Sequence, residues 1–139
     1  AGVRDPGNMG TLIRTCAAFG KKSVVVIDGC DPFSPKVLQS SAGTIAYTNI
    51  FQWSWQELLH YKQRAELIAL VAHNGQNPEQ ITAKNTLLVI GSEAHGIRPE
   101  WLSSCEQKVT IPMPGGTESL NAAIAGAVAM HAIWIICKK

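Results

Sequence analysis

The chain lacks several features that would each have announced a function. It has no cysteine pair at CxxC spacing and no histidine cluster, so a zinc site of ordinary spacing has no ligands. Its cysteines, Cys16, Cys30, Cys105 and Cys137, stand apart and read as free thiols in a reducing, cytoplasmic setting. It contains no Gx4GK[ST] loop and no GxGxxG, which removes the sequence support for nucleotide hydrolysis and for Rossmann dinucleotide binding. No nucleophile elbow is present either. No signal peptide is visible. The longest apolar stretch, Ala122 to Ile136, is interrupted by His131 and falls short of the roughly 20 residues that span a bilayer. Charge is also sparse, at 16% of residues and a net +2. That field is too weak to announce a nucleic-acid partner and too weak to repel one. The chain has no initiator Met and begins almost on a motif. An opening strand and any N-terminal RNA-binding domain are therefore expected to be missing.

What remains is 139 residues, 46% of them hydrophobic, enough for one domain with a proper core. No internal repeat, low-complexity run or linker divides it. Short apolar runs at Ser23–Ile27, Leu67–Ala72, Thr86–Ile90 and Lys108–Ile111 predict strands, with a weaker one at Thr48–Gln52. The middle runs do not alternate, which favours a parallel sheet covered on both faces. Helices are expected between them. One runs from Gly10 to Phe19 with Gly20 as its stop, and one starts from the Ser34-Pro35 cap and reaches about Ser41. Another starts from the Ser54/Glu57 capping box and reaches about Arg64, and a short one spans Pro99 to Ser104. The last runs from about Ser119 to Ile136. It is apolar on nearly every side, so burial on more than one side is expected, including against a second subunit. The order β-α-β-α makes an α/β domain with a mostly parallel sheet flanked by helices.

In such a sheet the loops after strand C-termini form the ligand crevice. Three stretches at or near that edge carry candidate chemistry. Asp5-Pro6-Gly7-Asn8-Met9-Gly10 leads into a helix bearing Arg14, and Asn8 with Arg14 at a helix start could grip a phosphate. Read alone, the same residues are a turn and a cap. Gly91-Ser92-Glu93-Ala94-His95-Gly96-Ile97 sets two glycines around a carboxylate. Gly91 is expected to allow close backbone approach to a ligand and Gly96 a positive φ. His95 reads as a loop histidine. Ile111-Pro112-Met113 through Ser119-Leu120-Asn121 gathers polar atoms beside the apolar helix, where Ser119 and Asn121 also suit capping.

These three stretches, in this order and spacing, resemble motifs 1, 2 and 3 of the SpoU/TrmH family of RNA 2′-O-methyltransferases, within the SPOUT superfamily. The resemblance covers nearly the whole of residues 1–139. It implies a C-terminal trefoil knot that binds S-adenosylmethionine, a homodimer through the C-terminal and motif-1 helices, and tRNA or rRNA as substrate. It further implies that Ala72, His73, Gly91, Ile111, Leu120 and Asn121 cradle the cofactor. The family's proposed catalytic group falls on Arg14, with Asn8, Glu93, Ser119 and Asn121 around it, and Arg14 of one subunit would approach the cofactor of the other. Because guanidinium is effectively always protonated, Arg14 suits a phosphate clamp or an alkoxide stabiliser, and Glu93 is the second choice for the base. No metal is called for, since the methyl donor is already activated. One departure is Gln39, where the family often has a basic residue. The rival reading, a non-catalytic RNA-binding relative, is disfavoured by the intact Asn8, Arg14, Glu93, Ser119 and Asn121 set.

Overall fold

A computed structural model describes residues 1–82 and 84–134. The expectations placed on Ile135, Ile136 and Cys137 lie outside the described residues. The chain divides into two compact units, Ala1–Tyr61 and Lys62–Lys139. Each has its own parallel sheet, where the sequence pointed to a single one.

The first unit opens with α1 (Pro6–Ala18). It starts four residues before the expected Gly10 because Asp5 is an N-cap, its carboxylate accepting the Asn8 N–H at 2.7 Å, and Pro6 takes the first helical position. It ends as expected at Gly20, which adopts φ +71. There Gly20 N–H donates to Ala17 O and Lys21 N–H to Cys16 O, the paired bonds of a Schellman stop. Strands β1 (Ser23–Val26) and β2 (Asn49–Gln52) pair in parallel from Ser23 against Asn49 to Val26 against Gln52. Between them α2 (Pro35–Ser40) packs on α1. The contact is possible because residue 10 is glycine: a Cβ there would stand 1.9 Å from Ser40 Oγ and 2.8 Å from Ser41 N. Helix α3 (Trp55–Tyr61) carries the expected capping box, with Glu57 N–H donating to Ser54 Oγ and Ser54 N–H to the Glu57 carboxylate. It stops three residues short of Arg64, before Gln63 turns to φ +52.

In the second unit β3 (Glu66–Leu70), β4 (Thr86–Ile90) and β5 (Gln107–Val109) form a parallel sheet in the order β4-β3-β5. Strand β4 has its expected ends. Strand β5 stops two residues early, at Val109, which accepts the Val71 N–H on the β3 side and is bridged to Gln76 on the other side. Helix α4 (Pro99–Leu102) is a single turn. Helix α5 (Ala122–Trp134) covers the core of Ile68, Ile81, Val109 and Ile133, against which Leu70, Leu88 and Trp134 pack. It starts at Ala122, three residues after the expected Ser119, because Asn121 is the residue that caps it. Nor is α5 buried on every side within the chain: Ile124 is 55% and Val128 43% exposed, while Ala129 on the opposite face is fully buried.

At the sheet edge Glu106 accepts from Lys62 Nζ and from the Leu67 N–H. Burial alone would push its carboxyl up, but these bonds hold it below the usual 4.5. Burial pushes the thiols of Cys16 and Cys105 up to about 11 each, and neither these two nor Cys30 is in a disulfide. No helix among the described residues is long and apolar enough to cross a membrane.

Candidate functional site

A cavity of about 180 Å³ opens at the C-terminal ends of β3, β4 and β5 in the second unit. The parallel sheet dictates this position: three chain segments leave the sheet on one edge and their loops wall off a crevice. Leu70, Ile90, Ile111, Leu120, Ala122 and Ala125 provide apolar walls, and Ser92, Glu93 and Ser119 provide polar atoms. Apolar walls with a few placed polar groups suit a small organic ligand with polar substituents.

The loop after β4 is closed on itself. Ser92 N–H donates to Gly96 O at 3.1 Å and Gly96 N–H returns to Ser92 O at 2.8 Å, while His95 N–H donates to Ser92 Oγ. Gly96 has the expected positive φ, at +64. Gly91 lines the cavity and also serves the loop itself. A Cβ on it would stand 2.2 Å from Gly96 C and 2.5 Å from Gly96 O, so the close backbone approach it permits is that of the loop's own far end. Glu93 is thereby held out at the cavity wall.

Glu93 is pinned from the other side by the start of α5. Asn121 Nδ2 donates to Glu93 Oε1 at 2.6 Å, and the Ala122 N–H reaches the same oxygen at 3.4 Å. The other end of the same amide, Asn121 Oδ1, accepts from the Ala123 and Ile124 N–H groups at 2.9 and 3.2 Å. One side chain thus ties the 92–96 loop to the helix N-terminus, where a carboxylate is favoured. The loop after β3 is stitched to β5 in turn, with Gly75 N–H donating to Thr110 Oγ1 at 2.9 Å. A Cβ at Gly75 would meet Val109 C at 2.5 Å.

Of the residues expected to cradle a cofactor, Ala72, Gly91, Ile111 and Leu120 line the cavity. His73 is exposed and does not line it, and Asn121 acts on it through Glu93. Ser119 lines the wall, and the capping bonds at the start of α5 go to Asn121. Sequence reasoning missed Leu70, Ile90, Val71, Ser92, Gly96, Met113, Ala122 and Ala125 as site residues. The first two are strand ends and the last two the inward face of the first turns of α5, so the strand-end rule could have found them.

Asn8 and Arg14 belong to the first unit, both on α1. Six residues of helix set them about 120° apart around the axis. Asn8 is buried and Arg14 exposed, so the two do not converge on one ligand as a pair. Arg14 does lie one turn beyond Gly10, on the side of α1 that meets α2. Its guanidinium makes no hydrogen bond or ion pair among the described residues. No group of three or more His, Cys, Asp or Glu that could hold a metal occurs among the described residues.

The chain is similar in sequence and in fold to known methyltransferases. The chain is 38% identical over 134 residues to an uncharacterised tRNA/rRNA methyltransferase of Synechocystis, matching 93% of this chain and 49% of that one. It is 30% identical to the 23S rRNA (guanosine-2′-O-)-methyltransferase RlmB of Bordetella pertussis, over 94% of this chain and 55% of that one. It therefore spans about half the length of these curated relatives. Among solved structures, the AdoMet-bound rRNA methyltransferase of Sinorhizobium meliloti superposes with a TM-score of 0.88 at 26% identity, over 94% of this chain and 52% of that one. The SpoU methyltransferase AviRb of Streptomyces viridochromogenes, in complex with AdoMet, also superposes at 0.88, with 27% identity over 94% of this chain and 53% of that one. The model of the SpoU rRNA Methylase family matches residues 1–131, and the chain belongs to that family.

Proposed function

We propose that residues 1–139 form a single catalytic domain that methylates a ribose 2′-hydroxyl of tRNA or rRNA with S-adenosylmethionine as donor, in the cytoplasm. The observation that carries this reading is the cavity at the ends of β3, β4 and β5, with Glu93 pinned at its wall by Asn121. Ala72, Gly91, Ile111 and Leu120 would hold the cofactor there, and the apolar walls with Ser92 and Ser119 fit its adenine and its polar ends. When bound, S-adenosylmethionine supplies a methyl group already activated as a sulfonium.

The chain's own residues then have to position the ribose and ease loss of its proton. Glu93 Oε1 is engaged by Asn121, and Oε2 has no hydrogen-bond partner among the described residues, so Glu93 can accept a proton without leaving its place. Arg14 is permanently cationic and exposed, which suits a clamp on RNA phosphate or on the forming alkoxide. Asn8, buried near the start of α1, shapes the helix that carries Arg14. A C-terminal trefoil knot is supported by the strand borders: β5 has β3 on one edge and a bridge to Gln76 on the other, so the chain leaving β3 passes around β5. A homodimer through α5 and α1 is supported by the exposed Ile124 and Val128.

Titration calorimetry with S-adenosylmethionine in the presence of a chelator tests the cofactor, and mass spectrometry of RNA nucleosides tests the product. Saturable binding together with 2′-O-methylated nucleoside is expected. A folded chain that gives no heat at millimolar ligand would overturn the assignment.

A further inference from the structure

The first unit carries a run of aromatic rings that the cavity does not use. Phe51 and Trp53 are two residues apart on extended chain, so they share a side of β2 and its extension. Their centroids are 4.9 Å apart, and Trp53 is 5.2 Å from Tyr61 at the end of α3. His60 meets the edge of Tyr61 at 4.7 Å. The rings brace one another, yet Phe51 is 37% and Tyr61 56% exposed. Neither the Trp53 indole N–H nor the Tyr61 hydroxyl has a hydrogen-bond partner among the described residues.

The charges of this unit near the run favour a polyanion. Lys22 is exposed at the head of β1, where its carbonyl accepts the Asn49 N–H that begins β2. The carboxylate one turn before Tyr61, Glu57, is turned back onto the N–H and hydroxyl of Ser54 at 2.7 and 2.8 Å. Rings with polar edges left unbonded and a cation at one end of the run match unpaired nucleobases and their phosphates better than an aliphatic protein surface.

We propose that Phe51, Trp53 and Tyr61 form a stacking platform for unpaired RNA flanking the methylated nucleotide, with Lys22 facing its phosphates. This rests on the reading above that the substrate is RNA.

The test is fluorescence anisotropy of the full chain with a labelled, unstructured oligoribonucleotide, and with the same strand in a duplex. S-adenosylmethionine binding is measured separately. The wild type should prefer the single strand. Tyr61→Ala should weaken it about ten-fold, while Tyr61→Phe stays near wild type and both keep cofactor affinity. A 4-thiouridine version of the strand should crosslink to the peptide containing Phe51 to Tyr61, a readout that needs no variant. Undiminished binding by Tyr61→Ala, or crosslinks only elsewhere, would overturn the platform. So would altered sedimentation of Tyr61→Ala with RNA affinity unchanged, which would mark a protein contact instead. A chain that binds cofactor but no oligoribonucleotide overturns the platform and leaves the methyltransferase reading standing. Loss of cofactor binding alone has the opposite meaning.

Discussion

Single residues in this chain divide into those that shape backbone and those that face a reaction. Gly91, Gly75 and Asn121 are of the first kind: Gly91 lets its loop close on itself, while Gly75 and Asn121 let segments distant in sequence meet at hydrogen-bonding range. Gly91→Ala should cost the cofactor site its shape, because the new Cβ would press on backbone that cannot swing aside. Calorimetry should show cofactor affinity falling by at least ten-fold, on the order of the 1–3 kcal/mol that overpacking costs. Retained affinity would mean that the 92–96 loop does not shape the site. Arg14 is of the second kind. With its side chain exposed and unengaged, Arg14→Ala should leave melting temperature and cofactor affinity nearly unchanged. It should slow single-turnover methylation roughly 100- to 1000-fold, the scale of losing one charge-stabilising contact. A near-normal rate would make Arg14 a surface residue and leave Glu93 to carry the chemistry.

Helices α1 and α5 illustrate how one small or one apolar position decides what an element touches. In a free helix, Gly10→Ala would gain about 1 kcal/mol of propensity. Here the added Cβ falls 1.9 Å from Ser40 Oγ and 2.8 Å from Ser41 N, and overpacking of about 1–3 kcal/mol outweighs that gain. Denaturant unfolding should therefore show a net loss of stability; a gain would mean that α2 moves away freely. A charge placed on α5 tests the proposed dimer, provided the position is open to solvent. Ala129 is fully buried inside its own unit, so a charge there would unfold the unit before it tested association. Val128, one residue earlier and 43% exposed, separates the two effects. Val128→Glu should sediment as a folded monomer where the wild type is a dimer. A wild type that is monomeric at micromolar concentration would remove the shared-site picture.

Across the whole chain, charge is thin and stability against acid depends on few groups. Glu106 titrates below its usual range when folded and near it when unfolded. Its contribution is therefore present at neutral pH and lost as pH falls below about 4.5, through the depressed folded value. The carboxylate side chain is 42% exposed, so solvent screens it and the effect is modest. Glu106→Gln should lower stability modestly at pH 7 and converge with wild type in acid, which flattens the acid limb of stability against pH. An unchanged acid limb would place the acid sensitivity elsewhere.

What the sequence determined by itself was local. The Ser54/Glu57 box, the Gly20 stop, the positive φ of Gly96 and the ends of β4 all follow from propensities acting within a few residues. The motif stretches were legible for the same reason, since polar and glycine-rich segments interrupt otherwise apolar runs. Tertiary structure decided the rest. Asn121 meets Glu93 across 28 positions and Thr110 meets Gly75 across 35, and no periodicity encodes such meetings. The bridge of Val109 to Gln76 came from tertiary structure, and so did the start of α5, set by the one side chain that could reach both its N–H groups and Glu93. Helix α5 is apolar all round in sequence, yet only packing chose which stripe, Ile124 and Val128, remains open to solvent, because a single sheet face can cover only one side of a helix.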